Sequence, residues 1–286
     1  MADNPQLQDA VAVITGGATG IGRGIAEEFL AQGATVVIAD IEQDALDRAA
    51  DELGVVGIRT DVADAASVQA LADAVVARYG RVDVVVNNAG VGPAARMADL
   101  TIDDWRWILD VNLFGVINGV TSFLPLLRAN ARGGHIVNTA SMSSFAPLPG
   151  LGAYAASKAG VAALSEVLAA ELAEDGSAVH VTLLTPGSVR TDIARSLRNR
   201  PEGSAGALAD IDLAADPERA ARSMWLTPRE AGAVVARAVL ADDFYAITHP
   251  GLLHRVDERH EQIRRAFLAY PPIDQSRTPD SDKEIR

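Results

Sequence analysis

The sequence predicts a single-domain, doubly wound α/β fold: a mostly parallel, seven-stranded sheet with helices on both faces. Three observations predict it. Short β-branched runs alternate with longer amphipathic stretches; the runs are apolar throughout; and a glycine-rich turn joins the first run to the first helix. Strands that are apolar on both faces need cover on both, and right-handed crossovers supply it.

The elements follow in order. Val11 to Thr15 reads as a buried strand, and Ile21 to Gln32 as a helix with Ile25, Phe29 and Leu30 at helical spacing. Thr35 to Ala39 is the second strand, Glu42 to Leu53 a helix and Val55 to Thr60 the third strand. Ala65 to Tyr79 is a helix and Asp83 to Val86 the fourth strand. Ile102 to Ala131 is a long helical stretch, with a kink expected near Asn112, Gly115 or Pro125. His135 to Asn138, Val179 to Leu184 and Phe244 to Thr248 complete the strands, and Tyr154 to Glu174 is an Ala- and Leu-rich helix. Arg190 to Met224, with Pro201, Gly203, Gly206 and Pro217, has little regularity and lies beyond a strand end. It reads as a substrate lid, about residues 188–226. Leu252 to Leu268 reads as an Arg-rich helical extension, which brings the domain to residues 1–270. The remainder, 271–286, reads as a disordered tail.

The chain of 286 residues is 49% hydrophobic and 22% charged, long enough to bury a sizeable core. Lys plus Arg is 25 against 38 for Asp plus Glu, a formal net charge of −13. That balance argues against nucleic-acid and anionic-membrane partners. Without cysteine, disulfides, zinc–thiolate sites, iron–sulfur clusters and a cysteine nucleophile are excluded. The polar start has no leader pattern, and no run of 18 apolar residues is expected, so the expectation is a cytoplasmic protein. His254 and His260 are the loosest of pairs, and no metal site is expected.

Thr15 to Gly22 carries glycines at 16, 20 and 22 between a strand and a helix. Such a turn lets backbone approach a pyrophosphate, which the helix N-terminus then meets with N–H groups and a positive dipole end. Asp40 ends the second strand, where a carboxylate accepts from adenosine ribose hydroxyls and repels a 2′-phosphate. Two unit charges about 4 Å apart cost roughly 4 kcal/mol at an effective dielectric of 20. Ile41 follows and supplies no compensating cation, so NAD is expected over NADP; a plain helix-capping role for Asp40 is the other reading. Arg23 reads as a solvated helix residue. Tyr154 and Lys158 share one helix face at i and i+4, after a strand that ends in Thr139-Ala140-Ser141. An ammonium beside a phenol lowers its pKa, which makes Tyr154 a proton acceptor, and Ser141 can bond the same substrate oxygen.

Taken together the chain resembles the short-chain dehydrogenase/reductase family and its Rossmann fold. The resemblance rests on Thr15-Gly-Gly-Ala-Thr-Gly-Ile-Gly22, Asp61-Val62, Asn87-Asn88-Ala89-Gly90, Asn112, Ser141, Tyr154-Ala-Ala-Ser-Lys158 and Pro186-Gly187, in order from about residue 9 to 250. It implies Tyr154 as general acid/base and Ser141 as the group polarising the substrate oxygen. Lys158 would hold the nicotinamide ribose, and Asn112 would anchor a water relaying protons from Lys158. It further implies Gly16, Thr19, Gly20, Ile21 and Gly22 at the pyrophosphate, Asp40 and Ile41 at the adenosine, and Asp61 and Val62 beside the adenine. Asn88, Ala89 and Gly90 would line the crevice, and Pro186, Gly187, Val189 and Thr191 would cover the nicotinamide. A homodimer or homotetramer is implied, paired through the helices at 102–131 and 154–174. Asn199-Arg200-Pro201, the Thr227-Pro228 helix start and the His249-Pro250 strand end are similar to a branch that oxidises bulky aryl alcohols.

Val91, Met97, Met142, Phe145, Leu148, Leu151 and Trp225 are the candidate pocket, lined mainly by apolar groups. It suits a neutral, medium-to-large secondary alcohol or ketone better than a sugar phosphate. The lid arginines 190, 195, 198 and 200 read as a solvated face, and Trp105 and Trp107 as packing residues. The rival readings are an NADPH-dependent carbonyl or 3-oxoacyl-thioester reductase, which Asp40 disfavours, and a non-catalytic dinucleotide sensor, which has no need of Ser141, Tyr154 and Lys158.

Overall fold

A computed structural model describes residues 7–201, 203, 206–211 and 224–270. Seven strands form one sheet: β1 (Val11–Thr15), β2 (Thr35–Asp40), β3 (Val56–Arg59), β4 (Val84–Asn87), β5 (Gly134–Thr139), β6 (Val179–Thr185) and β7 (Tyr245–Ile247). They run in the order β3-β2-β1-β4-β5-β6-β7, and every pair is parallel, so the sheet is wholly rather than mostly parallel among the described residues. The order reverses at β1/β4, the switch point where such sheets open a crevice.

The helices are α1 (Gly20–Ala31), α2 (Gln43–Leu53), α3 (Ala65–Tyr79), α4 (Ile102–Leu109), α5 (Gly115–Ala129), α6 (Gly152–Glu174), α7 (Pro228–Ala241) and α8 (Leu253–Ala269). Alternate strand residues serve opposite faces. Ala12, Ile14, Val36, Ile38, Val84 and Val86 pack under α1, α2 and α7, with Phe29 at the centre. Val11, Val13, Val37, Val85 and Ile136 pack under α3, α5 and α6 around Phe123. Each such side chain, fully buried, contributes roughly 1.5–3 kcal/mol.

The expected kink is a wide π-turn over Asp110–Phe114 that contains Asn112, while α5 runs unbroken past Pro125. Ile102–Ala129 together, 28 residues, is long and apolar enough by composition to cross a membrane, which the sequence reading missed because Asp110, Asn112 and Asn118 interrupt the run. Forty-four per cent of its most apolar stretch is buried in the fold, as a core helix pair would be.

At the foot of β5, His135 is fully buried, with Nε2 2.7 Å from the Thr182 hydroxyl. Burial and the neighbouring His180 hold its pKa down at about 3. The chain divides into two compact units, residues 1–250 and 251–286. In the second, α8 has no buried residue and leaves Ile263, Phe267 and Leu268 exposed. The expected tail, 271–286, and Pro217 of the lid lie outside the described residues.

Candidate active site

The C-terminal ends of β1, β4 and β5 meet at one rim of the sheet. There the turn after β1 presses against the loop after β4. Asn88 Nδ2 donates to the carbonyls of Thr15 (3.0 Å) and Gly16 (3.3 Å), and the Thr15 hydroxyl accepts from the N–H groups of Asn88 (2.9 Å) and Ala89 (3.2 Å). A Cβ at Gly22 would collide with the Gly16 carbonyl. Gly20 adopts φ +53°, and a Cβ there would lie 3.0 Å from Thr191 Cγ2 of the lid. Thr19 is the N-cap of α1, yet its side chain makes no capping bond, and the first turn, which includes Ile21, holds no carboxylate. The first-turn N–H groups are therefore left for an outside anion. This bare cradle fits a dinucleotide pyrophosphate.

Asp40 closes β2 with its carboxylate accepting from the N–H groups of Ala18 (3.2 Å) and Glu42 (3.1 Å). The N-cap of α2 is Glu42, so these bonds close the turn after β2 and tie it to the glycine-rich turn rather than cap the helix. Burial raises its pKa, partly offset by those two bonds. Ile41 is half-buried. Arg23 is a partly exposed helix residue that pairs with Glu27 (3.2 Å) and Glu52 (2.7 Å). Asp61 accepts from Ala63 N–H (3.0 Å), and the carbonyl of buried Val62 accepts from Asn118 (2.8 Å).

The reactive group is built on α6 against the end of β5. Lys158 is 2% exposed, and its Nζ donates to the Thr139 carbonyl (2.8 Å). Asn112 is completely buried; its Oδ1 accepts from Val91 N–H (2.8 Å), and its Nδ2 donates to the Val91 carbonyl (2.9 Å) and Ser157 Oγ (3.3 Å). Ser157 Oγ in turn donates to the Tyr154 carbonyl (2.7 Å). The Asn112 side chain thus fixes Val91 and α6. A Cβ at Gly90 would sit 3.1 Å from Asn112 Oδ1 and 3.5 Å from Lys158 Nζ, a tight fit that favours glycine.

Ser141 begins a short 3-10 turn (Met142–Ser144), and its hydroxyl bonds the Tyr154 hydroxyl. The expected depression of the tyrosine pKa is absent in the protein alone. Burial raises it, and the Ser141 bond offsets only part. Lys158 Nζ lies 6.0 Å from the ring centroid, tied to Thr139, and burial lowers its own pKa to about 8.

The lid is fastened across this rim. Its stems pair at Val189 and Leu226, and the Pro186 carbonyl accepts from Met142 N–H (3.0 Å). Gly187 N–H donates to Thr248 Oγ (3.0 Å). His249 fills the place of a Gly187 side chain, with Nδ1 2.7 Å from Thr248 Oγ and Nε2 2.6 Å from the Met224 carbonyl. Thr191 caps a 3-10 helix, Asp192–Asn199, whose Ser196 accepts from Gly92 N–H (2.9 Å).

The arginines differ. Arg195 is exposed and pairs with Asp192, as a solvated face would. Arg200 is instead 10% exposed, 2.7 Å from fully buried Asp104, and its guanidinium lies 5.7 Å from the ring centroid of Trp107. Arg198 reaches Glu42 (2.6 Å). Burial alone would raise the Asp104 pKa, but bonds from the Thr101 and Ala207 N–H groups, Arg200 and the Thr101 hydroxyl hold it at about 2.

Of the expected pocket, Val91 and Met142 are buried, Leu151 pairs with Ala95, and Met97, otherwise exposed, packs over Gly152. Leu148 is exposed and Trp225 half-buried on the lid's return. Phe145 is engaged elsewhere, among Val116, Val161 and Leu183 and edge-on to Tyr245.

The family profile described as short chain dehydrogenase matches residues 10–202. The chain belongs to the short chain dehydrogenase family. Members of this family are NAD(P)-dependent oxidoreductases. "Probable oxidoreductase EphD" of Mycobacterium tuberculosis is 41% identical over 190 residues, 65% of this chain; the match spans only 32% of that relative's length. The 1-deoxy-11-beta-hydroxypentalenate dehydrogenase of Streptomyces avermitilis is 34% identical over 91% of this chain and 92% of its own. The crystal structure of a short chain dehydrogenase/reductase from Burkholderia phymatum in complex with NAD is 38% identical, covers 94% of this chain and 99% of that one, and superposes with a TM-score of 0.85.

Asp104, Ser157, His249 and the Glu42–Arg198 pair escaped the sequence reading of this dehydrogenase. Thr101 and Asp104 stand three apart ahead of an apolar run, the visible mark of the capping box they form. The others each have at least one partner well removed in the chain, Ser157 with Asn112, His249 with Met224 and Glu42 with Arg198, which no local pattern announces.

Proposed function

We propose that this dehydrogenase interconverts a neutral, apolar, medium-to-large secondary alcohol, aryl or cyclic, and its ketone, with NAD as cofactor. The observation that carries the reading is the Ser141–Tyr154–Lys158 group at the same rim as the bare Gly20–Gly22 cradle. When bound, the dinucleotide supplies the hydride acceptor or donor and, oxidised, a positive charge beside the phenol. Tyr154 takes the hydroxyl proton in oxidation and returns it in reduction. Ser141 holds the substrate oxygen against the tyrosine hydroxyl. Lys158 holds ribose hydroxyls and adds positive charge behind the tyrosine. Asn112 and Ser157 position α6 rather than touch substrate. Gly16, Thr19, Gly20, Ile21, Gly22, Asp61, Val62, Asn88, Ala89, Gly90, Pro186, Gly187, Val189 and Thr191 are read as the dinucleotide's lining, and Asp40 disfavours a 2′-phosphate. The complex of the Burkholderia phymatum relative with NAD supports this choice. Exposed Phe114 and Val167 on the helices that pair between subunits of family members support a homo-oligomer.

The test is titration of the protein with NAD(H) and NADP(H), followed by turnover on a panel of aryl and cyclic secondary alcohols and sugar phosphates. Tighter NAD(H) binding and NADH formation with the apolar alcohols are expected. Nucleotide binding with no turnover across the panel would favour a sensor, and tighter NADP(H) binding the reductase reading.

A further inference from the structure

The 3-10 helix of the lid reaches past the reactive group to the end of the crevice marked by Asp40. Glu42, the N-cap residue of α2, makes no capping bond with its side chain. Its carboxylate is taken instead by Arg198: Nε lies 3.1 Å from both oxygens and Nη2 2.6 Å from Oε1. Asn199 adds a third donor at 3.0 Å. The guanidinium is held in place by its own helix, Nη1 donating to the Arg195 carbonyl at 2.6 Å. Asp40 and Asp192 also face it electrostatically.

We propose that Glu42 and Arg198 form a clasp, carried by the lid, that sets the choice between a 2′-hydroxyl and a 2′-phosphate dinucleotide. The inference rests on the dinucleotide reading above. Asp40, Glu42 and Arg198 place two negative charges and one positive at the ribose end, a net −1. Arg198, which faces Asp40, is committed to Glu42, so its charge is already neutralised before a phosphate arrives. The clasp also spans the crevice from α2 to the lid, so it has to open for a nucleotide to leave.

The signs are opposite for the two partners. Glu42→Gln brings the local charge to zero and frees Arg198, so NADP+ binding tightens relative to NAD+ by about tenfold or more. Arg198→Leu brings the local charge to −2, so NADP+ binding weakens relative to NAD+, and NADH leaves faster once the clasp is lost. Both shifts shrink as salt is raised, because the pair is partly exposed.

The experiment is calorimetric titration of the full chain and the two variants with NAD+ and NADP+, at low and high salt, with NADH release followed by stopped-flow fluorescence. Thermal melts of the variants check that both are folded. Opposite movements of the NAD+/NADP+ ratio are the result expected. Equal weakening of both nucleotides in both variants, or an unmoved ratio in Glu42→Gln, would overturn the clasp while leaving the dinucleotide reading intact. Failure of the unaltered protein to bind either nucleotide would instead remove the reading on which the clasp stands.

Discussion

The floor of the site and its lid are held by different means. On the floor, Lys158 and Asn112 are buried and bonded to main-chain atoms of Thr139, at the end of β5, and of Val91, in the loop after β4. The lid has short main-chain bridges, Val189 with Leu226 and Ala209 with Ala94, and is otherwise held by side chains that reach across: Arg200 to Asp104, Arg198 to Glu42, Ser196 to Gly92, His249 to Met224. Main-chain anchors in a parallel sheet are lost only when the domain unfolds, whereas side-chain anchors yield one at a time. On the proposed function, the chemistry sits on the stable part, and the choice of ligand on the part that opens at lower cost.

Breaking the floor carries the largest effect. Lys158→Met is expected to cut turnover by about a thousandfold, within the range for a perturbed acid–base group. It also flattens the pH dependence of stability between pH 8 and 10.5, where the unfolded chain keeps a proton that the buried lysine has released. In the unaltered protein stability rises with pH across that window. Retained turnover, or an unchanged profile by urea melts, would equalise floor and lid.

Breaking the buried lid anchor comes next. Asp104→Ala removes a fully buried carboxylate that Arg200 and the Thr101 and Ala207 N–H groups share, and a loss of about 3 kcal/mol is expected in denaturant unfolding. Protease should then cut near residues 190–211 ahead of the rest. A stability loss without preferential cutting there would mean that Asp104 serves α4 alone.

A substitution far from both regions sharpens the contrast. His135 has its pKa lowered to about 3 by burial, so the unfolded chain binds a proton first as pH falls from 6.5. That costs the native state ~2 kcal/mol by pH 5. His135→Gln should remove this acid sensitivity in melts at pH 7 and 5 while turnover stays within about twofold of the unaltered level.

The smallest effect is expected at the lid's return. His249→Ala removes the bonds to the Thr248 hydroxyl and the Met224 carbonyl, and a rise in KM for the alcohol of about tenfold is expected with a smaller change in kcat. A change in kcat alone would place His249 with the floor.

The same contrast governs what the sequence made legible. Strands apolar on both faces, glycines at a tight turn and Tyr154 four residues before Lys158 are local patterns, and they led to the doubly wound sheet and the rim where the reactive groups gather. The helix break was legible as a kink near Asn112, although the π-turn form was not. The lid was legible only as irregularity. Its arginines looked solvated because their partners, Glu42 and Asp104, lie about 100 or more residues away. Phe145 looked like pocket because hydrophobicity does not reveal which way a loop turns. The spacing shows the ammonium but not the burial that raises the tyrosine pKa in the protein alone.

The central claim, that Tyr154 moves the proton for hydride transfer, is tested most directly by Tyr154→Phe. NADH binding by fluorescence titration and turnover on the best alcohol of the panel would be measured on one preparation. Binding within a few-fold of the unaltered protein and turnover lowered by at least about a hundredfold are predicted. Turnover retained alongside intact binding would contradict the account.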